Sequence, residues 1–119
     1  MKWNSIRLEL ARTPDFPSGS VSRAFLLRLP IDEKGMVDWG EVSKQPSRAT
    51  IRRFWASEPD RRGRIRAGPD GGILKDSPGG TAPMFDMAPQ PLKLGEKVMV
   101  TAADGSELPF KVAFIKQLE

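Results

Sequence analysis

Residues 96–117 read EKVMVTAADGSELPFKVAFIKQ, two runs of alternating apolar and polar side chains on either side of Asp104-Gly105. Successive side chains of a β-strand point to opposite faces, so Val98 and Val100 line one face of a strand over 96–102. By the same rule Phe110, Val112 and Phe114 line one face of a second strand over 108–117. Asp-Gly suits the reversal between them, because the tight hairpin turns need positive φ. The pattern therefore predicts a hairpin with one face turned towards a core.

Moving towards the N-terminus, the same alternation recurs. Ile6, Leu8 and Leu10 alternate with Arg7, Glu9 and Ala11, predicting a half-buried strand over 3–12. The stretch Thr13-Pro14-Asp15-Phe16-Pro17-Ser18-Gly19 breaks it, since proline donates no ladder hydrogen bond and Gly19 permits a reversal. A second strand is predicted over 20–29, with Val21, Phe25, Leu27 and Leu29 inward and Arg23 the exception on that face. Asp38 followed by Glu41 has the spacing of a helix-capping box, predicting a short helix over 39–44 in which Trp39 plugs one end of the core. Pro46 ends it, and an extended run over 48–55 follows. Residues 63–67 and 72–75 read as a hairpin through Pro69-Asp70-Gly71, with a mobile tip. After Ser77-Pro78-Gly79-Gly80 a short strand over 82–87 is expected, stopped by Pro89 and Pro91.

With 119 residues, one domain over 1–119 with one core is expected. Eleven glycines and eleven prolines favour turns between short elements, and strands do not alternate with helices as a parallel sheet would require. The fold class read from this is all-β: a small, mostly antiparallel β-barrel or sandwich of about seven short strands with one short helix.

The absent residue types restrict the chemistry. Without cysteine or histidine there is no disulfide, no thiolate nucleophile, no sulfur-built zinc site and no catalytic triad built on histidine. Without tyrosine there is no phenolic acid. Carboxylates, lysines and hydroxyls remain, and none has a recognisable catalytic spacing. No signal peptide or membrane span is legible, so a cytoplasmic protein without membrane, metal or organic cofactor is expected.

Charge is concentrated in one place. Over residues 44–66 the cations Lys44, Arg48, Arg52, Arg53, Arg61, Arg62, Arg64 and Arg66 oppose only Glu58 and Asp60. That local excess is larger than the whole chain's net charge of +4, so the remainder is slightly acidic. Arginine donates paired hydrogen bonds to phosphate or carboxylate and stacks on aromatic rings. Arg48, Arg52, Arg53, Arg61, Arg62, Arg64 and Arg66, with Trp55 as a stacking ring, are the candidate anion-binding residues. Alternation places Phe54 and Trp55 on opposite faces, so one of the two belongs to the core. The bland account of the same residues is a solvated strand face, its arginine heads paired with Glu58, Asp60 or Asp70.

The other candidates are weaker. The glycine-rich segments 68–72 and 77–80 lack the lysine and helix of a phosphate loop and read as turns. Asp32, Glu33 and Asp38 do not have the spacing of a calcium loop. Asp15, Asp38, Glu58 and Asp60 lie near loops, but nothing in the sequence pairs two of them for catalysis.

The order LELAR, Pro17-Ser18-Gly19-Ser20, Leu29-Pro30-Ile31-Asp32, Arg52-Arg53-Phe54-Trp55 with Glu58-Pro59-Asp60-Arg61, Leu94-Gly95-Glu96-Lys97-Val98, and Asp104-Gly105 with Phe110-Lys111-Val112 resembles a family of uncharacterised alphaproteobacterial proteins across nearly the whole chain. The resemblance implies a bacterial, intracellular, single-domain protein and brings no activity with it. Where that family often carries histidine, in the second strand and near 60–65, this chain has arginine or other residues. Taken together, the sequence points first to a non-enzymatic binding or interaction module with a protein partner. The second reading is a nucleic-acid or anionic-ligand binder through 48–66, and the third an enzyme with a carboxylate or lysine site. It does not specify the oligomeric state.

Overall fold

The computed structural model describes residues 3–56, 58–67, 73–76, 83–102 and 105–118. Among these residues nine strand segments occur: β1 (Trp3–Leu10), β2 (Ser20–Pro30), β3 (Thr50–Trp55), β4 (Arg61–Arg64), β5 (Arg66–Ala67), β6 (Ile73–Asp76), β7 (Pro83–Met87), β8 (Lys97–Ala102) and β9 (Glu107–Gln117). One short helix, α1 (Trp39–Lys44), and a 3-10 turn (Pro46–Arg48) link β2 to β3. The mostly antiparallel β class is as the sequence predicts.

All nine segments form one sheet, in the order β4-β3-β2-β1-β9-β8-β7-β6-β5. Its first and last members, β4 and β5, are separated in sequence only by Ile65, which is buried and donates its backbone N–H to the Ala49 carbonyl at 2.9 Å. The sheet therefore curls until a single stretch of chain links its two ends. Residues 61–64 of that stretch pair with β3, and residues 66–67 pair with β6. The sequence suggests one hairpin strand here; a buried Ile65 splits it between two partners.

The concave side holds the core. Ile6, Leu8, Leu27, Leu29, Phe110 and Val112 are wholly buried there, with Val98, Val100 and Ile51 beside them. Removing a large aliphatic side chain from water contributes roughly 1.5–3 kcal/mol, so this alternating set is what drives the sheet to curl. One end of the core is covered by α1. Asp38 caps that helix, its Oδ1 accepting from the Glu41 N–H at 3.2 Å, and Val42 and Trp39 pack inward from it. Among the described residues no helix is long and apolar enough to cross a membrane.

Two bulges alter the predicted faces. Across the β1–β9 ladder Arg7 pairs with Phe114 and Leu8 with Val112, so Ala113 is an extra residue. An inserted residue shifts the alternation by one. Ile115 consequently packs against the core, whereas Phe114, expected inward, lies on the outer face at 39% exposure. Similarly, Leu10 pairs with Ser20 but Glu9 with Ala24, leaving residues 21–23 out of register with β1. Val21, also expected inward, is 70% exposed. Arg48 is not part of β3, because Pro46 opens a 3-10 turn that holds it. The predicted 69–71 tip and the 77–80 break lie outside the described residues.

Two glycines are required by close approach. A Cβ at Gly19 (φ 75°) would stand 2.7 Å from the Leu10 carbonyl oxygen, and one at Gly35 (φ 84°) 2.9 Å from the Leu92 nitrogen. Both have the left-handed backbone that glycine tolerates. Gly35 in turn accepts the Leu92 N–H at 2.8 Å, fixing the segment before β8 to the turn after β2.

Candidate binding surface

The outer face of β4-β3-β2-β1-β9 is set by strand register. One cross-strand row runs Arg64, Thr50, Arg28, Ser5, Lys116; the next runs Arg62, Arg52, Leu26, Arg7, Phe114. A third places Phe54, Ala24, Glu9 and Lys111 side by side. Neighbouring strands are about 4.8 Å apart and same-face residues along a strand about 7 Å apart, so these cations form a closely spaced array.

Within it, part of the charge is already engaged. Arg52 Nη2 donates to Asp60 Oδ2 at 3.0 Å, and its guanidinium lies 4.8 Å from the centre of the Phe54 ring. Arg7 Nε donates to Glu9 Oε2 at 2.7 Å and its Nη2 to the Val21 carbonyl at 3.0 Å. Arg28, Arg62 and Arg64 are exposed and make no ion pair or side-chain hydrogen bond with the described residues. Between them lies an open groove of about 260 Å³ lined by Leu26, Arg28, Thr50, Arg52, Arg62 and Gly63. Arg52 Nε, beside that groove, is buried without a hydrogen-bond partner.

The arginines singled out in the sequence do not all gather here. Arg52, Arg62 and Arg64 do. Arg53 and Arg61 are register partners on the opposite side of β3 and β4. Arg53 donates to Glu58 Oε1 at 3.2 Å and covers the Trp55 ring at 4.4 Å. Trp55 shares the concave side with Ile51 and packs against Phe25 and Phe110 at ring-centre distances of 6.0 and 6.3 Å, so it is not a stacking ring on the basic face. Arg48 covers Trp3 at 4.5 Å, near the end closed by α1. Arg66 lies on β5, past the buried Ile65.

Arg28 and Arg7 are members of the face that a charge count over 44–66 does not reach. Strand alternation could have found both: Leu27 and Leu29 inward force Arg28 outward, and Ile6 and Leu8 do the same for Arg7.

The carboxylates have local duties. Asp32 Oδ1 accepts the Lys34 and Met36 N–H groups at 2.8 and 3.0 Å, Asp38 caps α1, and Glu58 and Asp60 are ion-paired. Among the described residues no group of three potential ligands could hold a metal ion.

No family model, curated protein or solved structure matches this chain. The reading of the site accordingly rests on its geometry.

Proposed function

We propose that this chain is a binding module whose outer sheet face engages a polyanion, with nucleic acid the ligand class that fits best. A single observation carries the reading: Arg28, Arg62 and Arg64 sit in adjacent cross-strand rows without acidic partners among the described residues. Exposed cations brought together on one face attract phosphates and gain from releasing their counterions. The groove beside Arg52 offers a seat for a backbone phosphate or sugar, and the exposed edge of Phe114 offers an apolar surface in the same row as Arg62. A row of exposed cations suits an extended single strand better than a ligand that must be enclosed.

The test is fluorescence anisotropy with labelled single- and double-stranded oligonucleotides across a salt series. If Arg28, Arg52, Arg62 and Arg64 each contact one phosphate of a single strand, the slope of log affinity against log salt is about −2.8, a loss of roughly fiftyfold between 50 and 200 mM. Reversing Arg28, Arg62 and Arg64 to Glu should abolish binding, whereas Arg61→Glu, on the other side of β4, should have a much smaller effect. Absence of binding by the wild type at low salt would overturn the proposal and direct the search to protein partners.

A further inference from the structure

The end of the curled sheet opposite α1 is built differently from the basic face. There β1 and β3 finish and β2 and β9 begin, which brings Leu10, Trp55, Arg23 and Leu108 together. They surround a cavity of about 420 Å³ whose far wall is the turn carrying Phe16. That volume falls in the range of small-molecule sites, and the mouths of β-barrels are recurrent places for them.

The wall is tied together by its own hydrogen bonds. Thr13 and Phe16 exchange backbone hydrogen bonds at 3.0 and 3.1 Å, and the Thr13 hydroxyl accepts the Phe16 N–H at 3.0 Å. Gly19 closes the same turn by donating to the Phe16 carbonyl at 2.9 Å. Arg23 lies over the Phe16 ring, its Cζ 4.2 Å from the ring centre, and among the described residues only its Nη1 has an acceptor, the Ser20 hydroxyl at 3.4 Å. Guanidinium has five N–H donors, so most of those on Arg23 meet no acceptor among the described residues. Asp15 and Glu107 line the cavity too, but neither pairs with Arg23 or Arg12.

We infer that this open end binds a small, flat aromatic monoanion such as an aryl carboxylate. Its ring would lie among Phe16, Trp55 and Leu108, and its carboxylate would take the free donors of Arg23. Asp15 and Glu107 balance Arg12 and Arg23 in formal charge, so a polyphosphate finds no net attraction here, whereas one carboxylate held in a bidentate grip does. The site is separate from the basic face and stands or falls independently of it.

2-Naphthoate and its uncharged analogue 2-naphthalenemethanol would be titrated into the full chain and followed by calorimetry and by amide chemical-shift mapping. Naphthoate should bind saturably and more tightly than the alcohol, and shifts should concentrate at Arg12, Thr13, Phe16, Arg23, Trp55 and Leu108. Arg23→Gln should weaken naphthoate about tenfold and leave the alcohol unchanged, as expected for losing a charge-assisted hydrogen bond. Arg62→Glu should leave both unchanged. Failure of naphthoate to saturate at millimolar concentration, shifts centred on the outer face, or equal losses for both probes in Arg23→Gln would overturn the inference. The wild-type shift map decides the matter even if the variant does not fold.

Discussion

Gly35 and Gly95 have nearly the same backbone angle, φ 84° and 83°, but different surroundings: a Cβ at Gly35 meets the Leu92 backbone at 2.9–3.2 Å, and one at Gly95 meets nothing within 4 Å. A left-handed backbone costs a non-glycine residue roughly 1–2 kcal/mol. Gly95→Ala should cost about that amount, and Gly35→Ala distinctly more, because the Leu92 backbone must also move; urea denaturation of both variants checks the difference. Leu8, wholly buried in β1 between two paired strands, sets a second test. Leu8→Ala should lose about 2–5 kcal/mol, and Leu8→Asp should abolish folding, seen as loss of a cooperative melt. The inward direction of Leu8 was legible because Arg7 and Glu9 flank it. That of Phe114 was not, because nothing in its own residue type reveals the extra Ala113 that turns it outward.

Among the elements, α1 was legible from one cap. Asp38→Ala removes the acceptor for the Glu41 N–H and should lower stability by about 1 kcal/mol, measurable as a drop in Tm. β7 pairs with β8 only at Thr101 and Ala102, so at Met99 the flank of β8 is met by a side chain instead of a strand. Gln90 accepts the Met99 N–H at 3.1 Å and donates to the Met99 carbonyl at 3.0 Å, reproducing the pattern of a neighbouring strand. Unpaired strand edges recruit other chains. Gln90→Ala should therefore cost about 1 kcal/mol and produce concentration-dependent self-association, read by light scattering; an unchanged melt and a monodisperse variant would refute this role. No sequence signal marks Gln90, because its partner lies nine residues away on the backbone. The hairpin of β8 and β9 was plain from Asp104-Gly105, but the division of 61–67 between two partners depends on the curl of the whole sheet.

For the molecule as a whole, the radius of gyration of 13.5 Å is about what a compact chain of this length should have. The antiparallel class followed from alternation and turn residues, but the strand order did not, because pairing between distant segments leaves no local trace. Of the basic face, Arg52, Arg62 and Arg64 stand out by charge density alone. The outward direction of Arg28 follows from alternation, but its place in one row with Arg64 follows only from the register of β2, β3 and β4. Since Arg28, Arg62 and Arg64 have no partners among the described residues to lose, their triple reversal to Glu should leave Tm nearly unchanged while removing oligonucleotide binding, as surface changes away from specific contacts usually stay within about 0.5 kcal/mol each.

β1 lies between β2 and β9, and the Leu118 N–H reaches the Trp3 carbonyl at 2.8 Å. The earliest strand of this sheet in chain order is thus completed on one side by its immediate successor and on the other only by the sheet's last strand. A nascent chain that has reached β8 still has one flank of Ile6 and Leu8 bare. Closure of this core must wait for translation of β9, and a chaperone that shields β1 in the meantime would cover a strand edge that has not yet met its partner.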